Sequence, residues 1–331
     1  MAGTQTGAPG GVTADEYRVL HEGCGLLDRS ERGKLALAGP DAVEFLNGQV
    51  TNELATLAPG EGRYAAFLTH KGKMLGDLRV LVVAGPDGAL ELLLDTERAA
   101  LQALFDMIRR FKVGYRVELS KRTLECGLLS LIGPDAVRVA GVDPGAAEHA
   151  NAPHEIDGVE VLAVRTDTGV DLLCRSGETE ALASALRARG ACTVGEAAAE
   201  CLRIEAGRPR YGVDLDESVI PQEAGLNDRA VSFTKGCYVG QETVARLFYR
   251  GKPNRHLRGL RLSSPAAGGE TLRLGEREVG RIASAAVSPR LGPIALALVR
   301  REAEPGASLA VDGGVAAAEV VELPFRAAPS S

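Results

Sequence analysis

The residue types best suited to chemistry are concentrated in one segment of a dozen residues, Lys235–Arg246. Cys237 lies between Gly236 and Gly240, with Lys235 two residues before it and a glutamine, a glutamate and an arginine after it. Glycine permits positive φ angles or a close approach of the backbone to a ligand. A nearby cation favours the thiolate, which is the reactive form of cysteine. We therefore predict that Cys237 is a reactive thiol and that Lys235 assists it.

The same segment, K-G-C-Y-V-G-Q-E-T-V-A-R, resembles the signature of the YgfZ-type folate-binding proteins. These proteins are relatives of the glycine-cleavage T-protein and are implicated in iron–sulfur cluster assembly and repair. The resemblance extends, in the order that the family shows, to residues 39–52, 71–74, 201–207 and 220–224. It implies that tetrahydrofolate, or a one-carbon derivative of it, is the cofactor.

The resemblance also implies which residues contact the folate. Asp167 matches an acid that recognises the pterin ring in T-protein relatives, and a carboxylate can accept two parallel N–H bonds from such a ring. Arg203 would contact the folate carboxylate or order the cleft. Beside the thiol, Tyr238, Gln241 and Arg246 are further predicted folate contacts.

One departure from the transferases concerns a pair of acids. True aminomethyltransferases carry Gly-Gly-x-x-Asp-Asp near the reacting folate nitrogens, whereas this chain reads Gly-Lys-Met-Leu-Gly-Asp at residues 72–77. Gly76 replaces one acid and Asp77 is the remaining candidate catalytic carboxylate, so electrostatic help to a cationic transition state is weaker. The chain also has no tryptophan. Stacking on a folate would depend on Tyr64, Phe67, Tyr211, Phe233 or Tyr238.

The elements that must position these residues include an internal repeat. Residues 35–43, LALAGPDAV, recur at 129–137 as LSLIGPDAV. In both copies an alternating strand reaches Gly-Pro-Asp, where proline suits the first turn of a helix and aspartate lies near its positive end. Each copy is followed by another strand and a helix, predicted at 90–95 with 96–110 and at 169–174 with 176–189. Thr96 and Ser176 are the predicted N-caps, and Gly190 is the predicted helix stop.

The last quarter of the chain has a different pattern. From His256 onward, short strands are separated by Gly- and Pro-containing turns, which is typical of a small antiparallel barrel. The predicted strands cover 257–262, 278–285, 294–299, 308–311 and 316–322. We therefore predict an α+β protein in which two pseudo-repeated α/β subdomains form a central folate cleft, followed by a C-terminal antiparallel β-barrel. The predicted boundaries are a disordered tail (1–11), a first subdomain (12–120), a second subdomain with cleft loops and the cysteine segment (121–254), and the barrel (255–326).

The composition excludes several classes of protein. Apolar residues make up 45% of the 331 residues and charged residues 25%, as in soluble globular proteins. We expect no secretory leader, because the N-terminal residues lack a basic region followed by an apolar one. No stretch approaches the roughly 18 apolar residues of a membrane span. We therefore expect a cytoplasmic protein. Because no C-x-x-C and no paired histidines occur, we expect no metal site, and five of the six cysteines are interpreted as small buried residues.

The charge distribution leaves alternatives open. A net charge of −6 makes nucleic acid an unfavourable partner for the protein as a whole. One stretch is nevertheless basic and contains no acid, with Arg246, Arg250, Lys252, Arg255, Arg258 and Arg261. This stretch is either a solvated surface or a rim that binds an anion, such as the polyglutamate tail of a cellular folate, an RNA or a protein partner.

Three functions are compatible with the sequence. The main hypothesis is a tetrahydrofolate-binding factor that supports assembly or repair of iron–sulfur proteins through Cys237. The alternative is a folate-dependent transferase of aminomethyl or methyl groups, which requires measurable turnover. A third is a non-catalytic interaction module that has lost folate binding. Titration with tetrahydrofolate separates the third hypothesis from the first two.

Overall fold

The computed structural model describes residues 12–85, 88–312 and 317–326. The predicted disordered tail, residues 1–11, lies outside the described residues. The described chain forms two sheets of five and six strands and a closed antiparallel barrel of six strands. The α+β class and the C-terminal barrel are therefore confirmed.

The first half of the chain forms the five-stranded sheet and contributes one strand to the other sheet. In chain order its elements are α1 (Ala14–Glu22), β1 (Gly25–Asp28), β2 (Gly33–Ala38), α2 (Ala42–Asn47), β3 (Gly62–Leu68), β4 (Met74–Ala84), β5 (Leu90–Thr96), α3 (Leu101–Phe111) and β6 (Glu118–Lys121).

The second half forms most of the six-stranded sheet and is followed by three helices. Its elements are β7 (Cys126–Ile132), α4 (Ala136–Ala140), β8 (Asn151–Ile156), β9 (Val159–Arg165), β10 (Gly169–Arg175), a 3₁₀ turn (Ser176–Glu178), α5 (Thr179–Ala188), β11 (Cys192–Thr193), α6 (Glu196–Glu205), α7 (Asn227–Ala230) and α8 (Gln241–Arg250).

The strand order confirms the internal repeat. The five-stranded sheet has the order β3-β4-β5-β2-β6, and the six-stranded sheet has the order β8-β9-β10-β7-β1-β11. The two orders correspond if β1 is treated as an insertion between β7 and β11. The strands β8, β9, β10, β7 and β11 then match β3, β4, β5, β2 and β6. In both copies the glycine of Gly-Pro-Asp has a positive φ, 110° at Gly39 and 123° at Gly133. A Cβ would lie 2.2 Å from a carbonyl oxygen at Gly39 and 2.5 Å from one at Gly133, so each tight turn requires glycine.

The predicted helix starts are wrong by a few residues. Thr96 is the last residue of β5, where its hydroxyl donates to the Asp77 carbonyl oxygen at 2.5 Å, and α3 begins only at Leu101. Ser176 opens the 3₁₀ turn that precedes α5 and makes no capping hydrogen bond of the predicted kind. In both places the strand continues further than the local pattern indicates. Gly190 ends α5 as predicted, with a φ of 102°.

Side-chain alternation gives each sheet an apolar face and a mixed face. On β4, Leu78, Val80 and Val82 belong to the core under α2 and α3. Asp77 and Arg79, which alternate with them along the strand, point the other way.

The second sheet behaves in the same manner. Leu172 of β10 packs in the core under α4 and α5, whereas its neighbours Asp171 and Leu173 lie on the opposite face. Leu173 meets Leu81 and Leu128 in an apolar cluster that joins the two sheets. The mixed faces therefore face each other, with apolar contacts at one end and charged side chains at the other.

The barrel consists of β12 (Arg255–Leu262), β13 (Thr271–Leu274), β14 (Arg277–Ser288), β15 (Gly292–Arg300), β16 (Ser308–Val311) and β17 (Ala317–Val321). Five of these strands overlap the predicted ones, and β13 was not predicted. Only Leu272 of this short strand is fully buried, so its sequence carries a weak alternation signal. The strand is nevertheless required, because β13 pairs with both β14 and β16 and closes the barrel.

Candidate functional site

A cavity of about 230 Å³ lies at the charged end of the two facing sheets, closed on one side by α6 and the residues that follow it. Seven arginines and eight carboxylates line it, so its electrostatic character is mixed and nearly balanced. Such a cavity suits a ligand with several polar groups.

Asp77 is a carboxylate in the lining of this cavity. Tyr64, across the β3–β4 pair, donates its hydroxyl to Oδ2 of Asp77 at 2.7 Å. Burial raises the pKa of Asp77 to about 6, although the hydrogen bond from Tyr64 acts in the opposite direction. Burial together with the neighbouring Asp77 raises the pKa of Tyr64 well above its usual range, so the proton of this pair belongs to the phenol. Asp77 is thus a buried carboxylate that titrates near neutral pH.

Two arginines lie near Asp77, and one of them, Arg79, joins the sheets. Arg79 of β4 contacts Asp95 of β5 at 2.7 Å and Asp171 of β10 at 2.6 Å. Arg32 donates to the same Asp95 at 2.9 Å. Burial alone would raise the pKa of Asp95, but the two guanidinium groups hold it well below its usual range. Ser130 donates to Asp171 at 2.6 Å, so the second sheet also holds its carboxylate in a defined place.

Asp167 also lines the cavity, in the turn between β9 and β10. Its Oδ2 lies 3.0 Å from Nε of Arg208, and both side chains are about one-third exposed. The turn is closed by the amide of Thr166, which donates to the carbonyl of Gly169 at 3.0 Å. Asp167 and Arg208 together present a carboxylate and a guanidinium at the partly open side of the cavity.

Arg203 lines the cavity from α6, and its guanidinium is largely committed to protein partners. It contacts Glu200 at 2.8 Å, Asp214 at 2.6 Å and the Ser284 hydroxyl of the barrel at 2.7 Å. Burial alone would lower the pKa of Arg203, but the two carboxylates raise it above its usual value. Of the two roles expected for Arg203, this geometry favours the ordering of the cleft, since the side chain ties α6 to the barrel.

The cysteine segment lies outside the cavity lining. Cys237 is exposed, on a loop that packs against the β3–β4 hairpin; a Cβ at Gly240 would lie 2.6 Å from the Thr69 carbonyl. Lys235 is buried and donates to the carbonyls of Asn47 at 2.6 Å, Val50 at 2.9 Å and Asn52 at 2.7 Å. Burial lowers the pKa of Lys235 to about 8. The ammonium group therefore anchors the loop by three hydrogen bonds to backbone.

The other predicted contacts in this segment also lie away from the cavity. Tyr238 is buried in an apolar cluster with Met74 and Val244, and burial raises its pKa to about 12. Gln241 is the first residue of α8, and its backbone N–H donates to the Tyr238 carbonyl oxygen at 3.2 Å. Arg246 is exposed on α8. The structure thus groups Asp77, Asp167 and Arg203 in one cavity and the five residues of the cysteine segment in another part of the molecule.

The basic stretch divides into two parts. Arg255 pairs with Glu223 and Arg258 with Glu322, each at 3.0 Å, and Arg261 donates to the Arg326 carbonyl. Arg246, Arg250 and Lys252 make no ion pair with any of the described residues.

Exposed aromatic rings accompany the unpaired part of this stretch. The rings of Phe233 and Phe248 are stacked with centroids 3.8 Å apart, and Tyr249 meets Phe248 edge-on at 5.0 Å. Phe248 and Tyr249 are 45% and 66% exposed. Phe233 and Phe248 flank the Cys237 loop in sequence, so the stack closes that segment into a loop that carries the thiol.

The interpretation of the remaining cysteines needs a correction. Cys24, Cys174 and Cys201 are buried, and burial raises the pKa of Cys24 to about 11 and of Cys201 to about 12. Cys126 is half-buried and Cys192 is exposed. The two-residue strand β11 is the outermost strand of its sheet, which leaves the Cys192 side chain uncovered.

Several cavity residues were not found from the sequence, notably Arg79, Asp171, His149 and Arg229. For Arg79 and Asp171 a signal existed, because each is a charged residue inside a largely apolar strand. His149 lies in an irregular segment and Arg229 in the four-residue helix α7, and neither place shows such a pattern. Across the described ranges, no helix has the length and hydropathy to cross a membrane, and no three His, Cys, Asp or Glu side chains are grouped to hold a metal ion.

Comparison with known proteins gives matches along nearly the whole chain. Residues 10–235 match the model of the GCVT N-terminal domain, and residues 255–326 match that of the glycine cleavage T-protein C-terminal barrel domain. An aminomethyltransferase of Rubrobacter xylanophilus is 31% identical over 94% of this chain and 85% of its own length. One of Streptomyces coelicolor is 31% identical over 95% of this chain and 90% of its own length.

Two further similarities are informative. A putative chloroplastic transferase of Arabidopsis thaliana is 27% identical over 80% of this chain and 62% of its own length. The crystal structure of the glycine cleavage system aminomethyltransferase T from Bartonella henselae superposes with a TM-score of 0.83. That enzyme is 26% identical, and the match covers 94% of this chain and 89% of the other.

Proposed function

Because this chain belongs to the family defined by the GCVT N-terminal domain and the glycine cleavage T-protein C-terminal barrel domain, we propose that it binds a tetrahydrofolate in the cleft between its sheets and transfers a one-carbon unit between that folate and an amine. The observation that carries this proposal is the buried Asp77 carboxylate, which lines the cavity and receives a hydrogen bond from Tyr64.

The donor set of the cleft fits a folate. Asp167 would accept N–H bonds from the amino-substituted pterin edge, because a carboxylate can accept two of them in parallel. Arg208 would hold Asp167 in place through their contact, and Arg229 would offer positive charge to the folate carboxylates. Arg203 would act indirectly, since its bonds to Glu200 and Asp214 hold α6 against the cavity.

The chemistry assigned to Asp77 follows from its environment. When bound, the folate supplies ring nitrogens that carry the one-carbon unit. With a pKa of about 6, Asp77 is mostly ionised at neutral pH. A negative charge that is buried from water stabilises a developing positive charge or accepts a proton from a nitrogen. Tyr64 fixes the orientation of that carboxylate and keeps it from turning away from the cavity.

Two measurements test this function. Isothermal titration with tetrahydrofolate tests binding, and incubation with tetrahydrofolate and aminomethyl or methylated amine donors, followed by detection of methylene- or methyl-folate, tests transfer. We expect Asp77→Asn to retain folate binding and lose most of the transfer, and Asp106→Asn, an exposed carboxylate on α3, to behave as wild type. Tetrahydrofolate binding without any folate product from these donors would contradict the transferase activity.

A second candidate is the YgfZ-type role, a folate-binding factor that supports iron–sulfur cluster assembly or repair. The exposed thiol of Cys237, on a loop outside the cavity and beside exposed aromatic and basic side chains, favours it. The surroundings of Gly76 favour it too. A Cβ there would lie 2.5 Å from the Ala100 Cβ and 2.7 Å from the Phe67 ring, so this packing leaves no room for the second acid of the transferases.

Complementation distinguishes the two candidates. In cells that lack this protein, the activity of iron–sulfur enzymes should be restored by the wild type and by Cys192→Ser, which replaces the other exposed cysteine. Cys237→Ser should fail to restore it while binding tetrahydrofolate normally, because the thiol lies outside the cavity lining. Full restoration by Cys237→Ser would show that this role does not require the thiol.

A further inference from the structure

His149 is a buried histidine whose ring is not satisfied by the protein. It is 7% exposed, and neither ring nitrogen has a hydrogen-bond partner among the residues that the structure describes. Oε1 of Glu148 lies 3.6 Å from Nε2. Buried polar atoms without partners are costly, and the left-handed backbone of His149, with a φ of 69°, adds strain. Costs of this kind cluster at functional sites.

The ring lies where two cavities adjoin. One is the central cavity with Asp77, and the other, of about 330 Å³, is lined by residues of the β3 and α7 regions. Four residues line both cavities, namely Tyr64, Glu148, His149 and Arg229. The Arg229 guanidinium lies 5.3 Å above the Tyr64 ring and pairs with Glu148. Arg229 and Glu148 pair with each other, and the two ring nitrogens of His149 remain without a hydrogen-bond partner among the described residues.

The protonation state of the ring restricts what it can bind. Burial, reinforced by the charges of Arg79 and Arg229, lowers the pKa of His149 to about 3. A neutral imidazole offers one N–H donor and one acceptor nitrogen and carries no charge. It can therefore donate to a C=O group and accept from an N–H group, and an uncharged amide or lactam supplies both.

We propose that His149 is a ligand-binding residue of this cleft, whose neutral imidazole hydrogen-bonds an uncharged N–H or C=O group of a ligand that extends between the two cavities. The inference rests on the proposed function for the identity of that ligand, because a folate contains both a lactam in its pterin ring and an amide in its tail. It adds a specificity-determining contact beyond Asp77, Asp167 and the arginines.

The test compares tetrahydrofolate affinity with the stability of the ligand-free protein. His149→Asn preserves a residue type that tolerates the left-handed backbone, and His149→Gly removes the side chain altogether. Loss of the imidazole contact should raise the Kd for tetrahydrofolate about tenfold or more. The melting temperature of ligand-free His149→Asn should not fall, because the imidazole makes no hydrogen bond within the described residues.

His154→Asn is the matched control. His154, on β8, also has a ring nitrogen without a partner among the described residues, but it does not line the central cavity. Its replacement should leave the Kd unchanged. An unchanged Kd in both His149 variants would overturn the inference, as would a fall in stability that accounts for weaker binding. Weakened binding in the His154 variant alone would also contradict the inference. If the wild type itself binds no tetrahydrofolate, the proposed function fails and the inference fails with it.

Discussion

The Tyr64 hydroxyl donates a 2.7 Å hydrogen bond to the Asp77 carboxylate across the antiparallel pair β3–β4. This carboxylate lines the central cavity. The bond stabilises the charged form of an acid that burial drives toward its neutral form. The balance of these two effects determines whether Asp77 is ionised at the pH at which the protein works.

Tyr64→Phe should raise the pKa of Asp77 above about 6, because the substitution removes a hydrogen bond to the carboxylate and leaves the burial in place. A ¹³C NMR titration of the Asp77 carboxyl group measures the change directly. Tyr115→Phe, at a tyrosine that is 41% exposed, should leave the titration unaltered. A pKa that stays the same or falls in Tyr64→Phe would show that the phenol does not stabilise the carboxylate.

Asp77→Asn should increase the free energy of unfolding at pH 7 by about 1–3 kcal/mol. The folded pKa lies above the unfolded value of 3.8, so the folded state binds the proton more tightly. The associated stabilisation is therefore present at low pH and is lost as the pH rises from about 4 through 6. Urea unfolding at pH 7 and pH 4 should show the gain at the higher pH alone. Asp106→Asn, on the exposed face of α3, serves as the control, and a loss of stability at pH 7 in Asp77→Asn would contradict the prediction.

Lys235→Met should destabilise the fold by about 2–4 kcal/mol, because three buried carbonyl oxygens lose their donor. The effect should appear as a lower midpoint in urea unfolding and as faster proteolysis of the Cys237 loop. Lys71→Met, at an exposed lysine of the β3–β4 hairpin, should be nearly neutral. Unchanged stability in Lys235→Met would mean that the three hydrogen bonds do not anchor the loop.

The two glycines around Cys237 should respond differently to alanine. Gly240 has a φ of 85°, and a Cβ there would lie 2.6 Å from the Thr69 carbonyl oxygen, so Gly240→Ala should cost about 1–3 kcal/mol. At Gly236 a Cβ meets no atom within 4 Å and φ is not positive, so Gly236→Ala should be tolerated. Thermal unfolding of the two variants, made side by side, measures the difference, and equal stability would refute it.

Some of the site could be predicted from the sequence alone. Asp77, Asp167 and Arg203 were all identified by their places in motifs, and all three line the same cavity. Arg79 and Asp171 could have been identified as charged residues on apolar strands. The role of His149 could not, because its unsatisfied ring results from the packing of segments that are far apart in sequence.

The sequence by itself determined the two related halves and the barrel, because strand alternation and the Gly-Pro-Asp turns are local properties that the chain carries in each copy. It also determined that Cys237 lies in a glycine-bounded segment. Only the tertiary structure decided that this segment lies outside the cleft and that the Lys235 ammonium group donates to backbone carbonyls. The carbonyls that Lys235 binds are 183–188 residues away in the chain, and no local pattern reports contacts at that separation.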